Sequence, residues 1–145
     1  MGTISSIEEK AIKATLERAS KALREKDLDA LSRCFSPDVE IFDIGSQSTG
    51  FDQLRQSWKS CFPYFPDPIE IQRKNMHIIC CDGLAVVTSL TRMDGMKTNH
   101  PSARSWTRTT TCLQKIDGQW LIVHEHASMP VDCAQDRIDY LFDSD

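Results

Sequence analysis

The fold is decided by the stretch Asp117-Gly118-Gln119-Trp120-Leu121-Ile122-Val123-His124-Glu125-His126-Ala127-Ser128-Met129-Pro130. An Asp-Gly pair between two runs of alternating residues predicts a β-hairpin with a tight turn. Because side chains alternate along a strand, the second run divides into two faces, one with Trp120, Ile122, His124, His126 and Ser128 and the other with Leu121, Val123, Glu125 and Ala127. The residues leave open which face lines the interior, and this decides whether the histidines or Glu125 meet a ligand.

The composition is that of one soluble globular domain. The chain has 145 residues, of which 40% are hydrophobic and 26% charged, enough for an ordinary core. We expect a domain over residues 1–132 and an acidic tail over 133–145. The net charge is −4, and basic residues cluster no further than Arg73-Lys74, which argues against nucleic acid as a partner. No apolar run reaches the roughly 18 residues of a membrane span, so no membrane partner is expected.

The six cysteines are best explained as reduced residues of a cytoplasmic protein. The sequence opens with Met1-Gly2-Thr3-Ile4-Ser5-Ser6 and runs into a charged amphipathic segment, without the apolar core of a signal peptide. It contains no C-x-x-C pair, which argues against zinc-ribbon and thioredoxin-like sites. We therefore predict reduced thiols and a cytoplasmic location.

Helices come first in the sequence and strands follow. Apolar residues recur at helical spacing after a cap at Ser5 or Ser6, and a short second helix begins at Asp27 and is broken by Ser36-Pro37-Asp38. The pattern then predicts a strand over 39–43, a loop over 45–50, a helix over 51–62, strands over 70–80, 84–93, 104–115 and 119–128, and one loose helical turn in the tail. This order favours an α+β fold in which helices pack on one face of a curved antiparallel sheet and enclose a pocket.

The element order, together with the closing run Asp-Gly-x-Trp-x-x-x-His-x-His-x-Ser-x-Pro, resembles the nuclear transport factor 2-like superfamily. Within it, the chain is most similar to the SnoaL-like and ketosteroid-isomerase-like branch, from about Ile7 to Asp132. The association domain of calcium/calmodulin-dependent kinase ends in a similar run. The resemblance implies a cone-shaped α+β fold, with N-terminal helices on a strongly curved sheet around a pocket, and a homodimer formed through the outer face of that sheet.

The resemblance also implies roles for two acids. The segment Asp38 to Asp43 looks like the ketosteroid isomerase segment that ends in its catalytic base, which would place Asp43 as a base. It turns Glu125, together with Val123 and Ala127, toward the pocket, and the two histidines toward the dimer surface. The isomerase's oxyanion donors have no counterpart, because the matching positions fall near Ala19 and near Thr111 or Cys112. Steroid isomerase activity of the usual kind is therefore not expected.

Each candidate residue has an alternative explanation. Asp43 could be a base with a pKa raised by an apolar pocket, or an aspartate that caps the following loop. Glu125 could face the pocket and pair with Arg92, Arg104 or Arg108, or it could lie on a solvent-facing surface. The predicted substrate-binding residues are Trp58, Arg92, Trp106, Arg108, His124 and His126. The aromatic side chains among them could instead belong to the core.

A metal site is not expected at His124 and His126. Two histidines at i and i+2 can reach one ion, and the preceding glycine spacing matches the opening of a cupin motif, but the required glutamate does not follow. A zinc or iron site needs about three protein ligands. The histidines are better explained as hydrogen-bonding residues across the sheet or a dimer interface, near Arg108 and Thr110.

Two functions follow from the sequence. The first is a cofactor-independent isomerase, cyclase or lyase that acts on a small, largely apolar carbonyl compound. In it, Asp43 would move a proton α to the carbonyl, and Glu125 with an arginine would polarise or orient the substrate. The alternative is a non-enzymatic binding or hub domain like the kinase association domain, in which an Arg-lined pocket would take a small carboxylate or the sheet face would drive assembly. A ring of ten or more subunits would favour the hub, whereas a dimer is compatible with the enzyme.

Overall fold

The computed structural model describes residues 5–143. Within this range the helices are α1 (Ser6–Arg24), α2 (Leu28–Ser32) and α3 (Phe51–Cys61), with 3-10 turns at Phe62–Tyr64 and Pro101–Arg104. The strands are β1 (Phe35–Phe42), β2 (Gln47–Thr49), β3 (Glu70–Cys81), β4 (Leu84–Asp94), β5 (Thr107–Ile116), β6 (Gln119–Ser128), β7 (Val131–Asp132) and β8 (Arg137–Ile138).

Six strands form one curved sheet in the order β2-β1-β6-β5-β4-β3, and the helices pack on its concave face. The predicted α+β fold is therefore confirmed. One neighbour relation differs from the prediction, because β1 runs parallel to β6 while the other neighbours are antiparallel. The core between helices and sheet contains mainly aliphatic side chains that are almost fully buried, among them Ile12, Leu16, Leu31, Val39, Val87, Leu113 and Ile122.

Helix α1 is capped as the sequence predicts and is tied to the last hairpin. The hydroxyl of Ser5 accepts a hydrogen bond from the Glu8 N–H at 3.1 Å, which satisfies a backbone donor of the first turn. The Glu8 carboxylate accepts a hydrogen bond from Trp120 Nε1 at 3.0 Å. The buried hydroxyl of Thr15 donates to the Trp120 carbonyl at 2.9 Å. These contacts hold α1 against the start of β6.

The region after α2 differs from the prediction. Strand β1 begins at Phe35, so Ser36-Pro37-Asp38 does not break the chain between elements. Its pairing with β6 shifts register between Phe35 and Glu40, and an irregular stretch of this kind can hold a proline that has no N–H to donate. The predicted loop contains β2, which pairs with the end of β1. In the tail, β7 and β8 form a small hairpin where a helical turn was expected.

Two register shifts decide which side chains face the interior. In β6, Ile122 lies opposite Leu113 and His124 lies opposite Cys112, so Val123 is an extra residue without a partner. A β-bulge of this kind reverses the alternation beyond it. Trp120 and Ile122 are consequently buried, yet Glu125 and Ala127 also face inward. The prediction that Trp120 and Ile122 share a face with the two histidines is therefore wrong.

A similar irregularity occurs in β3 between Lys74 and His77, where Asn75 has a positive φ of 55°. Before it, Ile71 and Arg73 face inward, and after it Ile78 packs against the core.

None of the helices in the described residues has the length and hydrophobicity of a membrane span. The six cysteines are all unbridged thiols.

Candidate functional site

The candidate site is a cavity of about 270 Å³ between the concave face of the sheet and the helices α1 and α3. Most of its lining is apolar and includes Leu23, Leu31, Phe35, Ile41, Leu54, Trp58, Phe65, Ile71, Met93, Met96, Ile122 and Ala127. The polar lining includes Asp43, Arg73, Glu125, Thr91, Thr107 and Thr109. An apolar cavity with a few charged groups is typical of a small-molecule site.

A second depression, of about 900 Å³, is larger but lies open on the outer side of α1. It combines the exposed cations Arg18, Lys21 and Arg33 with the exposed acids Glu25 and Asp27. Charges of both signs in an open depression are well solvated. The smaller cavity encloses a ligand better and contains the two predicted acids, so the chemistry is expected there.

Glu125 lies at the inner face of β6, opposite Thr111 of β5. The Thr111 hydroxyl donates a hydrogen bond to Glu125 Oε2 at 3.3 Å. The side chain borders the cavity and so keeps some accessible surface, but protein surrounds its carboxyl group. Burial raises the pKa of Glu125 above the ordinary value, and the nearby charge of Asp43 adds to the rise, while Arg73, Thr111 and His124 oppose it. Glu125 can therefore hold a proton at a pH where an exposed glutamate has lost it.

Asp43 directly follows β1 and lies at the rim of the cavity with an exposed side chain. Its N–H donates to the Ser46 carbonyl at 2.9 Å, and its Oδ1 accepts a hydrogen bond from the Ile44 N–H at 2.8 Å. Asp43 thus shapes the turn into β2 and borders the cavity.

Arg73 is the cation of this cavity, and the sequence reasoning missed it in favour of Arg92, Arg104 and Arg108. Its Nη1 donates to the Ser20 hydroxyl at 2.6 Å. Burial lowers the pKa of Arg73, while the negative charges of Glu125 and Glu17 oppose this effect. A signal did exist, because Arg73 follows Ile69 and Ile71 at strand spacing and continues their inward face.

Among the six predicted substrate-binding residues, the cavity lining includes Trp58 and does not include Arg92, Trp106, Arg108, His124 or His126. Trp106 is buried in another cluster, where Arg92 Cζ and Lys74 Nζ lie 4.8 Å and 4.2 Å from its ring centroid. Arg92 donates to Gln72 Oε1 at 3.1 Å. This cluster is separated from the cavity because Arg92 alternates with the inward-facing Thr91 and Met93.

Arg108 and the two histidines lie on the outer face of the sheet. One row across the strands contains Thr88, Thr110, His126 and Phe42, and the next contains Val86, Cys112, His124 and Glu40. The Phe42 ring packs edge-on against both imidazoles, with centroid distances of 5.2 Å and 5.7 Å. His124 Nδ1 lies 3.7 Å from Glu40 Oε1. No group of three or more potential metal ligands is found among the described residues.

Comparison with known proteins identifies the domain. The family model described as SnoaL-like domain matches residues 12–132. No curated protein matches the sequence significantly.

Three solved structures illustrate the likeness in fold. An NTF2-like protein of unknown function from Pseudomonas putida KT2440 has a TM-score of 0.81 and 24% identity, with 94% of this chain and 96% of that chain covered. A protein from Novosphingobium aromaticivorans proposed to be a scytalone dehydratase has a TM-score of 0.73 and 20% identity, with 83% of each chain covered. A protein from Shewanella frigidimarina proposed to be a ketosteroid isomerase has a TM-score of 0.68 and 22% identity, covering 81% of this chain and 94% of its own.

Proposed function

The chain belongs to the SnoaL-like domain family, and we propose that it is a cofactor-independent enzyme that moves a proton on a small, largely apolar carbonyl compound. The observation that carries this proposal is the placement of two carboxyl groups, Asp43 and Glu125, on one apolar cavity. Structural relatives named for a dehydratase and an isomerase support the same class of chemistry.

The two acids have different environments and so suit different roles. Asp43, at the exposed rim, takes the proton from the carbon α to the carbonyl as general base. The electron pair of the broken C–H bond moves toward the carbonyl oxygen and forms an enolate. Glu125, kept protonated by its burial, donates a hydrogen bond to that oxygen and stabilises the developing charge. In a β,γ-unsaturated compound the enolate is a dienolate, and return of the proton from Asp43 to its γ-carbon gives the α,β-unsaturated isomer. In a β-substituted compound the enolate electron pair forms the α,β double bond, while the β-substituent leaves with its bonding electrons and takes the proton from Asp43, which gives the product of a lyase.

The test is exchange of α-protons in D₂O, followed by NMR over a panel of apolar ketones. We expect Asp43→Asn to lower the exchange rate by about 100-fold or more, the usual range for a general base. Glu125→Ala removes the donor to the enolate and should cost about 100-fold or more. Glu125→Gln keeps an N–H donor and should cost less.

The matched control is Asp38→Asn, which changes an exposed acid on β1, the strand that Asp43 follows, but outside the cavity lining. It should exchange protons like the wild type. Equal exchange rates in the wild type and Asp43→Asn would contradict the proposed mechanism, even if the substitution changes the melting temperature.

The proposed partners are a small apolar molecule in the cavity and a second copy of the chain on the outer face of the sheet. Support for the dimer comes from the half-exposed Val86, which lies in the same row as His124, and the half-exposed Leu90, which lies beside the row that contains His126 and Phe42. Polar and apolar side chains mixed on one sheet surface are compatible with a two-fold interface.

A further inference from the structure

Arg73 has more hydrogen-bond donors than the protein uses. A guanidinium group has five N–H donors and no acceptor. Within residues 5–143, the hydroxyl of Ser20 is the only acceptor that the structure gives it. Arg73 also lines the cavity. The donors that Ser20 does not use are therefore available to a ligand in the cavity or to solvent within it.

The positive charge of Arg73 also has no close counter-ion in the described part of the chain. In the sheet, Arg73 lies opposite Thr91, which lies opposite Thr107, whereas Glu125 lies opposite Thr111. The two charges influence each other, but no ion pair between them is found among the described residues. Glu17 of α1 influences Arg73 from an exposed position, and Asp43 stands at the rim. An enclosed cation without a bonded anion is costly, so an anionic ligand would be stabilised here.

We propose that the ligand of this cavity is an apolar carboxylic acid with a neighbouring carbonyl group, and that Arg73 binds its carboxylate. A guanidinium group can bind a carboxylate through two parallel N–H donors, which fixes both position and orientation. The apolar body of the ligand would then contact side chains such as Trp58 and Phe65 and extend toward the two acids. This inference rests on the proposed function, because it names the substrate class of the same site.

The test compares two ligands that differ only in the carboxylate. One is 2-oxo-4-phenylbutanoate, and the other is 4-phenylbutan-2-one, in which a methyl group replaces it. By titration calorimetry, the wild type should bind the acid at least about tenfold more tightly, the smallest effect expected of a hydrogen bond to a charged group. Arg73→Met should reduce the ratio to about one, and Arg73→Lys should leave an intermediate preference. Arg92→Met, which removes an arginine outside the lining, should keep the wild-type ratio.

A pH series provides a second readout that does not depend on the Arg73 variants folding. The charged groups that influence Glu125 or Arg73 are Asp43 after β1, Glu17 on α1, and His124 on the outer face of β6. The Cys61 thiol of α3 also borders the cavity. As the pH rises, ionisation of Glu125 removes the hydrogen bond to the carbonyl group of either ligand and also repels a carboxylate, so the affinity for the acid should fall more steeply than the affinity for the ketone. Glu125→Gln should abolish this difference.

The outcomes separate this inference from the proposed function. Equal affinity for acid and ketone in the wild type, or no binding of either, would overturn the role of Arg73. Proton exchange in the ketone without any preference for the acid would retain the proposed enzyme and reject the carboxylate. Tight, Arg73-dependent binding of the acid without proton exchange would support the carboxylate site and reject the enzyme.

Discussion

At the scale of single residues, Glu125 shows how a fold can raise the pKa of a carboxyl group. Its only hydrogen bond within the described residues comes from Thr111, and one hydroxyl compensates poorly for the water that a carboxylate loses on burial. Arg73 favours the charged form, but burial outweighs it and the pKa of Glu125 is raised. A carboxyl group with a raised pKa suits a site that needs a proton donor next to a reacting oxygen.

This balance predicts a pH-dependent stability difference between the wild type and Glu125→Gln. Folding favours the protonated form of Glu125, so its contribution is fully present below the ordinary pKa of glutamate and is lost as pH rises through the raised, folded-state pKa. Glutamine has no proton to lose. The melting temperature of the variant relative to the wild type should therefore increase as the pH rises from the ordinary pKa of glutamate through the raised, folded-state pKa. Differential scanning calorimetry at a series of pH values measures the two melting temperatures.

The control for this experiment is Glu9→Gln, which changes an acid on the exposed side of α1 that pairs with Lys13. Its melting temperature relative to the wild type should show no comparable rise. A difference for Glu125→Gln that stays constant or shrinks with increasing pH would mean that Glu125 is ionised in the folded protein.

At the scale of elements, the sequence predicts what local chemistry determines and fails where strands change register. Ser5, one of the two predicted caps, caps α1, and the second helix begins after its cap at Asp27, where its start was predicted. Both signals are local, since a cap depends on residues three positions apart. The hairpin at Asp117-Gly118 is also where the turn chemistry places it. The extra residue Val123 in β6 carries no sequence signal that separates it from its neighbours. Its position depends on long-range pairing with β5, so alternation alone assigned Trp120 and Ile122 to the wrong face.

Dependence on long-range strand pairing also limits what the sequence predicts about the candidate site. Asp43 and Glu125 were placed at the cavity through the family resemblance, and both border it. The sequence did not single out Arg73, because alternation along one strand does not show whether Arg73, Arg92 or Arg108 faces the cavity. Their orientations follow from the pairing register of the four strands β3 to β6. The alternating pattern also does not decide which face of the sheet His124 lies on. The bulge at Val123 places His124 on the outer face.

Gly95 provides a stability prediction at this scale. It follows β4 with a φ of +115°, and an added Cβ would lie 2.8 Å from the Pro68 carbonyl oxygen and 3.6 Å from Phe65 Cδ1. Since the carbonyl belongs to the backbone and cannot move aside easily, Gly95→Ala should lower the free energy of unfolding by about 1–3 kcal/mol. Because Phe65 lines the cavity, ligand affinity should fall as well. Urea denaturation measures the stability change.

Gly45→Ala is the matched control, since no atom lies within 4 Å of its added Cβ. Its stability should stay close to that of the wild type. A Gly95→Ala variant as stable as Gly45→Ala would show that the loop after β4 can shift without cost.

At the scale of the whole molecule, one sheet supports two surfaces with different chemistry. The concave face, with the helices, surrounds an apolar cavity that contains Glu125 and Arg73. The opposite face presents His124, His126 and Phe42 beside the half-exposed Val86 and Leu90. Because neighbouring side chains of β4, β5 and β6 alternate between these surfaces, assembly through the outer face would support the strands that form the cavity without closing it.

The outer face predicts the oligomeric state. Thr88 lies near the middle of β4 on this face, is exposed in the single chain and is flanked on the same face by Val86 and Leu90. In a two-fold interface, Thr88→Arg would bring a charge into a buried apolar contact in both subunits. We therefore expect light scattering to give twice the chain mass for the wild type and a single chain mass for Thr88→Arg, with unchanged circular dichroism. Gln56→Arg, exposed on α3, should remain dimeric. A Thr88→Arg dimer would place the interface elsewhere, and a wild-type ring of ten or more subunits would favour a hub domain over the proposed dimeric enzyme.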